Sequence, residues 1–111
     1  MSDLMRRFEA AQLAARNLRD KPDNDTLLEL YSYFKQATEG DISANRPGAF
    51  DFVARAKYDA WEARKGMTRD VAMRDYIKLV EHLQSLLMKR AASRTFALLR
   101  VRMSSIADNP G

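Results

Sequence analysis

The chain has 111 residues and a mass of 12.7 kDa, enough for one domain with a modest hydrophobic core. It has no cysteine, which excludes a disulfide framework and a thiolate zinc site. The net charge of +4 is unevenly placed: residues 88–111 hold five of the 19 basic side chains and one of the 15 acidic ones, leaving 14 of each in residues 1–87. The basic character therefore belongs to the tail and gives no reason to expect nucleic-acid binding by the body.

Charges interrupt the first eighteen residues, so they are not expected to act as a signal peptide. Leu4, Phe8, Ala11, Ala15 and Leu18 recur at spacings of three and four, which predicts a first amphipathic helix from Ser2 to Leu18 with Ser2 or Asp3 as its cap. Pro22, Asp23, Asn24 and Asp25 then form a turn and start signal. The second predicted helix, Asp25 to Thr38, carries an apolar stripe of Leu27, Leu30, Tyr31, Phe34 and Ala37. The line Leu28, Tyr31 and Lys35 runs beside that stripe.

Gly40, Pro47 and Gly48 mark a longer loop. A third helix is predicted from Ala49 to Arg64, with Phe52, Ala56, Ala60 and Ala63 on one stripe and Gly66 closing it. Thr68 caps a fourth, which runs to Leu87 or beyond on Met73, Tyr76, Ile77, Val80, Leu83 and Leu87. In residues 88–111, Ala92, Phe96, Leu99, Met103 and Ile106 make a further stripe, predicted as a basic amphipathic helix that either continues the fourth or folds back. Four amphipathic helices without sustained two-residue alternation predict an all-α bundle. The expected domain occupies 1–87, with 88–111 as an extension.

Catalytic patterns are absent from the sequence. There is no Gly-rich phosphate loop or HExxH motif, and the single His82 has no partner at motif spacing. No metal ligands, cofactor or enzyme activity are expected. The notable set is aromatic and cationic: Tyr31 with Lys35 and Lys57 with Trp61, each four apart on a helix, with Tyr58 and Tyr76 nearby. Such pairs suit a ligand with a flat ring and a phosphate, because the ring stacks while the ammonium meets the anion. They equally fit core rings beside solvated lysines, and periodicity does not separate the two readings.

The runs LYSYFKQATEGD, RPG, AKYDAWEARKG and AMRDYIKLVEHL, in that order, closely resemble the acyl-CoA-binding protein family (ACBP) over residues 4–87. The resemblance implies a four-helix bundle of up-down-down-up topology. It also implies a non-catalytic intracellular carrier or buffer of long-chain fatty acyl-CoA, expected in the cytoplasm. The family's ligand-binding positions fall on Arg16, Lys21, Tyr31, Phe34, Lys35, Lys57 and Tyr76. The tyrosines and lysines would hold the 3′-phosphoadenosine head, and Leu28 with its apolar neighbours would line an acyl groove. Phe34 stands where the family often has tyrosine and lacks a hydroxyl for phosphate; Tyr33 has no assigned role. A helical interaction or membrane-adapter module with the same fold and no ligand is the alternative. For residues 88–107, self-association and transient contact with anionic membrane are the expected partnerships.

Overall fold

The computed structural model describes the backbone of residues 2–107 and the side chains of residues 2–100. Four helices account for most of it: α1 Asp3–Arg16, α2 Asn24–Glu39, α3 Phe52–Glu62 and α4 Arg69–Ala107. The fold is all-α.

Each start is fixed by a short polar side chain that satisfies an unpaired helical N–H. Ser2 Oγ accepts from Met5 N at 3.1 Å, Asp23 Oδ1 from Thr26 N at 2.8 Å, Asp51 Oδ1 from Ala54 N at 3.2 Å and Thr68 Oγ1 from Val71 N at 3.2 Å. The Asp51 cap places the start of α3 at Phe52, three residues after the expected Ala49, because Ala49 and Phe50 turn through the Asp51 N–Gly48 O bond. Gly40, at φ +79°, ends α2, and Gly66, at φ +90°, closes the turn after α3; both angles favour a residue without Cβ.

Contacts fix the topology. The C-terminal ends of α2 and α3 are tied together: Trp61 Nε1 donates to Gly40 O at 2.9 Å and Arg64 Nε to Ser32 Oγ at 3.0 Å. Their N-terminal ends also adjoin, with Asn24 and Phe52 in one groove, so α2 and α3 run in the same direction. α4 begins beside Gly40, where the Arg69 guanidinium lies, and reaches Thr26 at Leu86 to Arg90, so it opposes α2. α1 follows the sense of α4, from Phe8 on Tyr76 to Leu18 beside Leu83 and Leu87. The order is up-down-down-up.

The core lies between α1, α2 and α4. It comprises Phe8, Ala11, Leu30, Ala37, Ala72, Met73, Tyr76, Ile77 and Val80, in agreement with the stripes of those helices. Burying each of the larger apolar side chains contributes about 1.5–3 kcal/mol. α3 departs from its predicted stripe. It packs against α2 alone, buries no residue, and leaves Phe52 75% exposed.

The extension continues α4 without a break, since no Gly or Pro interrupts residues 69–107. Beyond Leu87 the helix draws away from the bundle, with Arg90, Ala91, Arg94 and Thr95 still bordering a groove beside Arg19 and Asp20, and every side chain from Ala92 to Arg100 is exposed. For Met103 and Ile106 of the expected stripe, and for Arg102 beside it, the backbone is helical, and their side chains lie outside the described residues, as do Asn109, Pro110 and Gly111.

Candidate functional site

Tyr31 stands at the centre of the expected set. It is half-buried on α2 and lines two neighbouring grooves. The first, about 290 Å³, lies between α1, α2 and α4 and is lined by Gln12, Arg16, Leu27, Phe34 and Tyr76 with Tyr31. The second, about 400 Å³, lies between α2 and α3 and is lined by Leu27, Leu28, Phe52, Val53, Ala56 and Lys57 with Tyr31. Leu27 and Tyr31 are the shared wall.

Two ammonium groups from different helices approach the same ring. Lys35 Nζ is 6.0 Å from the Tyr31 centroid, and Lys57 Nζ is 5.4 Å from it. Lys35 Nζ also lies 4.9 Å from the Trp61 ring and forms an ion pair with Glu39 one turn on. The lysine of α2 thus meets the tryptophan of α3, and the lysine of α3 meets the tyrosine of α2. The expected pairing of Lys57 with Trp61 along one helix is replaced by pairing across the helix interface. Among the described residues, no carboxylate oxygen lies within ion-pair distance of Lys57. Cation–π attraction holds such a cation with its face still open to an anion.

Phe34 has two roles. Its ring stacks on Phe8 at a centroid distance of 6.3 Å, and it also lines the first groove. Tyr76 packs edge-on against Phe8 at 5.2 Å and is 6% exposed. Burial pushes its phenol above the ordinary value, and the Arg16 cation opposes that shift. The Tyr76 hydroxyl is therefore a neutral hydrogen-bonding group at neutral pH, beside the Arg16 charge.

Lys21 stands apart from these residues. It is exposed and lines a separate groove with Leu18, Thr26, Leu83, Leu87 and Arg90; Pro22 borders both that groove and the Arg16–Tyr76 one. Leu28 lies in the α2–α3 groove. Phe52, placed by periodicity on the α3 stripe, lines that groove with Val53, and both are exposed apolar side chains. Tyr33 carries the Arg64 guanidinium over its ring at 4.1 Å, which orients Arg64 toward Ser32.

A polar pin sets the α2–α3 spacing. Gln36, 1% exposed, donates from Nε2 to Asp41 Oδ1 and to Met67 O, both at 2.8 Å. Asp41 Oδ1 also accepts from Gly66 N at 2.8 Å, and these bonds hold its carboxyl below the ordinary value. Arg46 clamps Asp59 with two bonds of 3.0 and 2.9 Å, fastening the α2–α3 loop to α3. Among the described residues, no cluster of His, Cys, Asp or Glu is arranged to hold a metal ion.

The all-α architecture agrees with the comparison to known proteins. The model of the family described as "Acyl CoA binding protein" matches residues 5–80. The chain belongs to the acyl-CoA-binding protein family. It is 43% identical over 76 residues to Acyl-CoA-binding protein homolog 1 of Caenorhabditis elegans, covering 68% of this chain and 88% of that one. The structure of Oryza sativa Acyl-CoA-Binding Protein 2 superposes with a TM-score of 0.71 at 38% identity, over 81% of this chain and 96% of the other. Enoyl-CoA delta isomerase 2 of Rattus norvegicus is 42% identical over 78 residues, 70% of this chain and 20% of that longer protein. The ACBP match stops at residue 80, inside α4, so the exposed part of that helix lies beyond the matched region.

Proposed function

We propose that this protein binds long-chain fatty acyl-CoA esters reversibly and acts as a non-catalytic carrier or buffer of them in the cytoplasm. The observation that carries this reading is the convergence of Lys35 and Lys57, from two helices, on the Tyr31 ring. An adenine ring stacks on Tyr31 and Phe34 while the 3′-phosphate on the attached ribose meets the two ammonium groups. Charge-assisted hydrogen bonds of this kind contribute about 1.5–3 kcal/mol each. Arg16 and the Tyr76 hydroxyl add polar contacts in the adjoining groove. Leu27, Leu28, Phe52 and Val53 offer the acyl chain an apolar bed, where each buried methylene adds up to about 0.8 kcal/mol. Lys21 contributes general positive charge at the edge of the site. The extension adds either a self-association surface or a contact with anionic membrane, and its charge favours the second.

Calorimetric titration with palmitoyl-CoA, with Trp61 fluorescence as a parallel signal, tests the carrier reading. The expected result is saturable binding in which affinity rises with acyl length and exceeds that for palmitate or CoA alone. No binding at micromolar ligand leaves the fold as a helical interaction or adapter module. Equal affinity for palmitate and its CoA ester contradicts a site built around the nucleotide.

A further inference from the structure

The α4 extension continues a core helix without a break, yet its side chains touch little. Met88 is 72% exposed, Phe96 62%, Leu98 66% and Leu99 53%. On a helical wheel Met88, Ala92, Phe96 and Leu99 fall within one quadrant, and Lys89 and Arg100 border it. The Arg100 guanidinium lies 5.2 Å from the Phe96 ring. Arg90 and Arg94 occupy another side of the helix, turned toward the groove beside Arg19 and Asp20.

The charge pattern discriminates between occupants of the apolar face. From His82 to Ala107 the chain has five basic residues and no acidic one. A second copy packed extension to extension would bring an equally basic stretch against the first in either orientation, with no carboxylate between residues 82 and 107 to offset the repulsion. A nucleic acid would satisfy the cations and leave Phe96 and Leu99 in water. An anionic lipid surface satisfies both: its headgroups meet Lys89 and Arg100 while the apolar quadrant sinks into the headgroup–acyl boundary.

The position in the fold is consistent with that occupant. α4 leaves the bundle at the end where Arg90 borders Lys21, Asp23 and Thr26. The N-terminal ends of α2 and α3 lie at that same end, where Asn24, Phe52 and Val53 border the α2–α3 groove. Phe50, 94% exposed, immediately precedes Asp51 and Phe52 there. We infer that residues 88–107 form an interfacial helix that docks on anionic bilayers and brings the open end of the bundle to the lipid surface. The inference stands on the extension alone and does not require the carrier reading.

Vesicle flotation of the full chain without acyl-CoA tests it, comparing phosphatidylcholine vesicles with and without phosphatidylglycerol at low and high salt. Binding is expected only to the anionic vesicles and should weaken as salt rises. Each basic side chain near such a surface is worth about fivefold in partition, so Lys89→Glu with Arg100→Glu should lower it by at least about 25-fold. Phe96→Glu with Leu99→Glu should abolish it. All four positions are exposed, and circular dichroism should show the bundle intact in both variants. Failure of the wild-type chain to float, or flotation that survives both double substitutions, overturns the assignment. So does a dimer in sedimentation velocity that Phe96→Glu with Leu99→Glu dissolves, because the face then belongs to a second copy. Palmitoyl-CoA titration of the same variants gives an independent readout, so failure of docking and failure of cargo binding are distinguishable.

Discussion

α4 meets the bundle with five buried side chains between Ala72 and Val80, while α3 meets α2 with none. Both helices are amphipathic by sequence. The difference lies in neighbours: α4 sits in the crevice between α1 and α2, whereas α3 has α2 only. α3 is held instead by directional bonds gathered at one end, from Trp61 to Gly40 and from Arg64 to Ser32, with the Gln36–Asp41–Gly66 pin beside them. Its other end, at Phe52 and Val53, stands off α2 and leaves the apolar groove over Leu27 and Leu28. Dense packing on one side of α2 supplies stability. Sparse packing on the other leaves a space that a flexible chain can enter.

Two phenylalanines test that division most sharply. Phe8, 2% exposed, touches both Phe34 and Tyr76, so Phe8→Ala should destabilise the fold by about 3–5 kcal/mol in chemical denaturation. Phe52 has three-quarters of its surface in water, and Phe52→Ala should change stability by no more than about 0.5 kcal/mol. The same Phe52→Ala change should weaken binding of long acyl-CoA esters and spare short ones. A large stability loss at Phe52 would mean that α3 belongs to the core after all.

The lysines come next in size. Lys57→Ala should lower palmitoyl-CoA affinity by about 10- to 150-fold, the equivalent of one charge-assisted contact. Lys35→Ala should act in the same direction. Glu39 pairs with Lys35, so on the proposed reading it would compete with the ligand, and Glu39→Gln should raise affinity a few-fold at low salt. If removing Glu39 lowers affinity, the ion pair positions Lys35 rather than competing for it.

Most of the fold was legible because its signals are local. Ser2 and Thr68 cap where their side chains predict, and the stripe from Met73 to Val80 is buried as its period requires. The stripe through Phe52 misled because periodicity identifies an apolar face without saying how many neighbours cover it. The pairing of rings and cations was half legible for a similar reason. Spacing brings Lys35 to Tyr31 within one helix, but the contacts of Lys35 with Trp61 and of Lys57 with Tyr31 depend on how α2 and α3 lie side by side. Lys21 shares a turn with Pro22 but opens onto a different groove, a separation that residue spacing does not encode. Gln36, beside the ring-rich run of α2, is a buried tie between two loops, with partners that lie far along the chain or beyond the helix end.

The smallest effect expected is also the one that probes how α3 is pinned. Asp41 accepts hydrogen bonds from the Gly66 amide and from Gln36, and these hold its carboxyl below the ordinary value of 3.8. A carboxyl whose pKa is depressed on folding stabilises the protein above its unfolded pKa, and that contribution disappears as pH falls through the folded one. Wild-type stability should therefore decline below about pH 4, with Asp23 and Asp59, whose carboxyls are depressed in the same direction, adding to the slope. Asp41→Ala should be slightly less stable than wild type at neutral pH and should show a shallower acid decline, read as the midpoint of urea denaturation from pH 7 downward. Asp41→Asn keeps an acceptor oxygen without the charge and should fall between the two. Because the pin spaces the helices that carry Lys35 and Lys57, Asp41→Ala should also lower palmitoyl-CoA affinity modestly. An unchanged affinity together with an unchanged acid slope would show that Trp61 and Arg64 suffice to hold α3 against α2.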